Sequence, residues 1–283
     1  MHYFLLFFYY FNFCFRHKGI DNNYFSDCNL QAIPPQIADW KDIVVLGNNK
    51  VELTPLQPHA LQLFLGRNMI SELPPQLFLL RNLTVLTLRQ NHLTTMSSAI
   101  RHLVSLRELN VSGNYLTTLP GAMLELENLS LLVASPNPLL QSENMPPPTP
   151  PPSQPLKLTL NVTTASGSMK DIGRSMVSRT LHFNPRWTEG PARLTEQCLV
   201  QIIKQYKYTE LLTMYDLPPD LAAQLYNADE RREADAVCAN CKRLTCEVAG
   251  YAIEFWNGVG GSGVVPFKQE FCSGLCMKNH CNI

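Results

Sequence analysis

The sequence predicts an α/β solenoid with parallel strands along a concave face, followed by a small α+β domain at the C-terminus. Three observations predict it: asparagines recur at 23-residue intervals inside a repeated apolar frame, a proline-rich run interrupts the chain, and paired cysteines cluster near its end. Length agrees, since 283 residues suffice for two modest domains. Seven of the 21 prolines fall between Met145 and Pro155, and seven of the nine cysteines lie beyond residue 190. The 23 Lys and Arg balance 23 Asp and Glu, and only 16% of residues are charged. There is neither the basic excess that drives phosphate-backbone binding nor the charge imbalance typical of disorder, which argues against a generic nucleic-acid binder.

Residues 1–19 form a hydrophobic N-terminal segment. The 13 residues from Tyr3 to Phe15 hold nine of the 23 Phe and Tyr. The run is short for a membrane span, which needs about 20 apolar residues. Its basic residues, Arg16 and Lys18, follow the run instead of preceding it, and no small-residue cleavage pattern appears. It reads as an anchor or atypical signal, as a segment packed on the next element, or as an extension outside the natural coding sequence.

Between residues 20 and 140 the stretches LQLFLGRNMISELP, LTVLTLRQNHLTTM, LRELNVSGNYLTTLP and LSLLVASPNPLL place Asn68, Asn91, Asn114 and Asn137 at uniform 23-residue spacing. Leu83, Leu86, Leu88, Leu93 and Met96 of one repeat match Leu106, Leu109, Val111, Leu116 and Leu119 of the next. In such a frame the L-x-L pair forms a short strand with both leucines inward, while the Asn side chain satisfies backbone groups where the chain leaves the strand. One repeat cannot bury its own leucines, so several must stack. The L-P steps at Pro74 and Pro120 start the return along the convex side. No 3.6-residue period runs through these segments, which excludes an amphipathic helix. Upstream the phase degrades: Cys28 occupies the Asn slot of one repeat, and Asn49 with Val51 suggests another, at spacings of 21 and 19.

These residues resemble the leucine-rich repeat family, in particular its 23-residue intracellular, Ras-suppressor-like class. The resemblance implies a five- or six-repeat solenoid whose concave strand face binds a protein partner, with a small-GTPase or kinase signalling component as the kind of partner. By the register, that face presents Gln62, Phe64, Arg67, Val85, Thr87, Arg89, Gln90, Glu108 and Asn110. Phe64 with Arg67 and Arg89 supplies the aromatic and arginine composition that dominates protein interfaces.

Residues 141–190 read as a flexible linker. MPPPTPPPSQP favours polyproline II because proline fixes φ and removes the backbone donor, and without a flanking Arg or Lys it reads as a spacer more than a docking motif. Residues 156–190 are Ser/Thr-rich without sustained periodicity.

Residues 191–283 form a helical and cysteine-containing module. Leu194, Cys198, Leu199, Ile202, Ile203 and Tyr206 mark one face of a helix. A second helix starts at Pro218 and Pro219 and runs toward Val237. Cys238-x2-Cys241 and Cys272-x3-Cys276 follow, separated by two strand-like segments and a GVGGSG turn. Two such knuckles complete a tetrahedral four-thiolate shell suited to one structural zinc ion. The pattern resembles a zinc ribbon, and the end from Phe271 to Cys276 resembles FCS zinc fingers. Cys246, His280 or Cys281 could replace one ligand. A RING domain is not expected, because after Cys276 only His280 and Cys281 remain in this sequence for a second ion. A disulfide framework would require an oxidising compartment, for which the N-terminal run and sequons at Asn82, Asn110, Asn128 and Asn161 are the support.

Gly258, Gly260 and Gly263 formally match G-x-G-x-x-G, but VVPFKQEF follows where a helix must open. No phosphate loop, nucleophile elbow or H-E-x-x-H is present. The expectation is a non-enzymatic, cytoplasmic or nuclear adaptor with no small-molecule substrate and no membrane association unless residues 3–15 anchor it. Nucleic-acid binding through the cysteine module is the rival, opposed by nine Lys and Arg against eleven Asp and Glu in residues 191–283.

Overall fold

The computed structural model describes residues 23–42, 60–140, 174–183 and 194–282. The N-terminal run, the Asn49 repeat and the proline-rich run lie outside them. Strands β1 (Asn23–Tyr24), β2 (Leu61–Phe64), β3 (Leu83–Thr87) and β4 (Glu108–Asn110) are followed by β5 (Leu119–Pro120) and β6 (Leu131–Val133). Five of them pair in parallel in the order β1-β2-β3-β4-β6. Leu63, Leu86, Leu109 and Leu132 are direct register partners and all are buried, so the leucines of successive repeats lie one above another. Short 3-10 turns at Pro75–Leu79, Ser98–His102 and Gly121–Glu125 carry the chain back along the other side.

The asparagines knit the repeats together. Asn114 Nδ2 donates to Val111 O in its own repeat and to Leu88 O in the preceding one, both at 2.9 Å, while its Oδ1 accepts from Leu93 N at 3.0 Å. Asn91 and Asn137 repeat this three-way pattern. Asn68 does the same across a longer sequence gap, donating to Phe25 O and accepting from Cys28 N and Leu30 N. β1 therefore pairs directly with β2, Asn23 against Leu63, and no strand from the intervening segment sits between them. The expected repeat at Asn49 lies outside the described residues.

The C-terminal half contributes β7 (Ser175–Phe183), helices α1 (Leu194–Gln205), α2 (Tyr208–Met214) and α3 (Pro219–Glu233), strands β8 (Gly250–Asn257) and β9 (Val265–Phe271), and helix α4 (Gly274–Cys281). Pro219 opens α3 at the first helical position, where its missing N–H is not needed. Leu199, Ile203, Leu211, Leu225 and Ala228 make a helical core of their own. Only part of the expected α1 face takes part, for Leu194 is 74% exposed and Cys198 is also exposed.

Residues 174–183 differ from the flexible-linker expectation. β7 pairs antiparallel with β8 along its whole length, and its Arg179 reaches the buried Glu254 at 2.6 Å. A small buried Ser178 and a buried ion pair replace the apolar alternation that marks a strand in sequence.

The second sheet, β5-β9-β8-β7, takes one of its strands from the repeats, Leu119 pairing with Phe267 and Pro120 with Lys268. Val259, Val265 and Phe267 enter the same buried cluster as Leu116, Leu119 and Leu132. Arg174 donates to Leu126 O and Leu129 O, Ser97 to Ala234 O, and Lys242 pairs with Glu125 at 2.6 Å. The second sheet and its turn thus share a buried cluster with the repeats, while the helices and the cysteines pack in clusters of their own.

Leu109→Ala is expected to cost about 2–5 kcal/mol, since a fully buried leucine leaves a cavity. Asn114→Ala is expected to cost about 3 kcal/mol, because three buried backbone groups lose their partner. Urea unfolding curves check both.

Candidate functional site

Two places concentrate the functional residues expected from the sequence. The first is the exposed side of the repeat sheet. Gln62, Val85 and Glu108 form one cross-strand row that continues to Leu131, and Phe64, Thr87 and Asn110 form the next, ending at Val133. Each strand turns its central leucine, Leu63, Leu86, Leu109 or Leu132, inward and the side chains on either side of it outward, so the rows are half-buried or exposed. Arg67 and Gln90 occupy equivalent positions one repeat apart, both with left-handed φ of 56° and 53°, and are joined by Arg67 Nε donating to Gln90 Oε1 at 3.1 Å. Arg67 also stands 3.8 Å from Asp27. Arg89 lies over Gly66, where a Cβ would come within 3.0 Å of its side chain. Asn110 accepts from Ser112 N and Oγ, which commits its Oδ1 to a local turn. Sequence reasoning did not single out Met69, His92 and Tyr115, an exposed column at 23-residue spacing beside this face, in which His92 stacks on Tyr115 at 5.9 Å.

The second place is the cysteine cluster. Cys238 and Cys241 sit in a turn closed by Cys238 N to Arg243 O and Lys242 N to Cys238 O. Lys242 adopts φ 59° to make that turn. Cys272 follows the end of β9, and Cys276 lies in the first turn of α4, whose cap Ser273 accepts from Cys276 N. Ala239 N donates to Glu270 O, tying the first turn to β9.

The four sulfur atoms all lie within 4.8 Å of one another. Cys272 Sγ is 3.6 Å from both Cys241 Sγ and Cys276 Sγ. A tetrahedral ion with metal–sulfur bonds of about 2.3 Å places sulfurs about 3.8 Å apart. The hydrogen bond with Cys272 and the N–H groups of Cys241, Cys272 and Asn240 hold the Cys238 thiol far below its ordinary range against the opposing effect of burial. The same bond and burial push Cys272 up. Four thiols this close are a donor set that could hold a metal ion.

The alternative ligands are engaged elsewhere. Cys246 is buried among the helices, where burial and the Glu196 charge push its thiol up to about 11. His280 Nε2 faces Glu254 Oε1 at 3.3 Å, and Cys281 is packed behind Phe271 and Met277. Burial pushes the Glu254 carboxyl up, but the contacts from His280, Arg179 and Trp256 outweigh it and hold Glu254 below its ordinary value.

A cleft of about 730 Å³ separates the repeat turns from α3 and the second sheet. Its cations are paired with acids: Arg101 with Asp235, Lys242 with Glu125, and both Arg231 and Lys268 with Glu270. Among the described residues, no histidine or cysteine lines it. Among the described residues, no helix is long and apolar enough to cross a membrane.

Comparison with known proteins agrees with the repeat geometry. Residues 58–116 match the leucine rich repeat family. Among solved structures, a leucine-rich repeat protein of Leptospira interrogans is 32% identical over 41% of this chain, with a TM-score of 0.31. The alignment spans 31% of that protein's chain. No curated protein matches.

Burial and the Glu247 charge raise the Glu196 carboxyl to about 7, opposed by the N–H groups of Glu247 and Cys246 and by Arg231. A raised carboxyl favours the neutral form in the folded chain, so this contribution is full at low pH and lost as pH rises through about 7. Glu196→Gln is expected to flatten the fall in denaturant midpoint between pH 5 and pH 8.

Proposed function

We propose that this chain is a non-enzymatic protein-interaction scaffold. It holds a protein partner on the exposed side of its repeat sheet, and its C-terminal module is stapled by one structural zinc ion. Leucine-rich repeat proteins generally mediate protein–protein interaction, and such stretches expose a sheet whose rows repeat one strand spacing apart. The observation that carries the reading is the pair of continuous rows, Gln62 to Leu131 and Phe64 to Val133, flanked by Arg67, Arg89 and Gln90. Aromatic and arginine side chains on such a face are the usual energetic anchors of an interface. A small-GTPase or kinase signalling component is the partner class that the resemblance to the Ras-suppressor-like class implies.

Zinc suits the second site because four thiolates, soft and tetrahedral, leave no position for a substrate water. The cations of the cleft are paired with acids, an arrangement that supports a structural role for them.

Phe64→Ala with Arg89→Ala is expected to abolish capture of the partners that the full chain retains from cell extract, at unchanged thermal stability. Retention of the same partners would place binding elsewhere. Elemental analysis is expected to find about one zinc per chain, and Cys276→Ser to lower that content. A chain purified without metal from zinc-supplemented medium would overturn the zinc assignment.

A further inference from the structure

The GVGGSG turn between β8 and β9 is not a free loop. Val259 and Gly260 are buried, and the turn is seated on β6, the edge strand of the repeat sheet. A Cβ on Gly260 would lie 2.6 Å from Leu132 N and 2.8 Å from Leu132 Cβ, and the residue holds φ +56°. Only glycine brings backbone this close to the edge. Val259, Val265 and Phe267 close the open end of the leucine stack behind it, and β9 adds to Leu119–Pro120. An unsealed last repeat would leave a strand edge and a leucine layer in water, a liability that repeat arrays answer with a terminal cap.

Both strands that carry this turn lead into the cysteine cluster. Cys272 follows β9 directly, and Ala239, between Cys238 and Cys241, donates to Glu270 in that strand. Ala249, at the entry to β8, donates to Phe271 O.

We propose that the four-cysteine site is the staple of the C-terminal cap of the repeats, so that metal occupancy sets the stability of the last repeats and the accessibility of the β6 edge. The proposal rests on the metal reading above. Its physics is linkage: an ion bound only by the folded module stabilises whatever unfolds together with it, and here Val259, Val265 and Phe267 of the module lie in the same buried cluster as the last repeats. Loss of the ion loosens β8, β9 and their turn, and the exposed edge of β6 becomes able to pair with another strand.

Hydrogen exchange on the full-length, zinc-loaded chain tests this. Removal of zinc with a chelator is expected to speed exchange of the amides in residues 119–133 by roughly tenfold or more, with less effect at β2. Gly260→Val is expected to produce the same increase while zinc content stays unchanged. Gly263→Val, in the same turn but with no atom within 4 Å of its Cβ, is expected to change neither. Zinc that binds and leaves without altering exchange at 119–133 would overturn the linkage and spare the metal reading. A chain that binds no zinc would overturn both. Should Gly260→Val fail to fold, the chelator comparison still decides.

Discussion

The hydrogen bonds of four asparagines set the geometry on which everything else rests. Each side chain bridges its own turn to the backbone of the preceding repeat, so the rise from one strand to the next is fixed by an amide of constant size. Leucines at constant offset from those amides must then superimpose, and the outward side chains between them must form rows. The exposed rows are thus a by-product of how buried backbone groups are satisfied.

This dependence explains why so much of the N-terminal half was legible in the sequence. A period enforced by one residue type leaves a visible trace in every copy, and Leu86, Leu109 and Leu132 fall where counting from Asn91, Asn114 and Asn137 puts them. Irregularity was harder to read. Asn68 reaches Phe25 and Cys28, a contact 40 or more residues away that no local pattern encodes. The cysteine pairs were legible for a related reason, because ligand spacing is a local constraint, and the structure gathers Cys238, Cys241, Cys272 and Cys276 as that spacing required.

Long-range partnerships were hidden. β7 owes its existence to β8 and to a buried Arg179–Glu254 pair, so its own residues carry only half of the information. The attachment of the module to the repeats was invisible for the same reason. Leu119–Pro120 looks like the ordinary start of a convex return and also serves as a strand of the second sheet. Sharing of that kind joins what reads as two units on a tether through one buried cluster that takes in Val259, Val265 and Phe267.

Gly260 against Leu132 also bears on how the chain could have grown. Arrays of this type lengthen when a gene segment is duplicated and the new copy is laid on the last one. With the terminal strand already occupied by a glycine turn, an added copy would have to displace Val259 and Phe267 from their places, so any change in copy number at this end is closed off by steric contact.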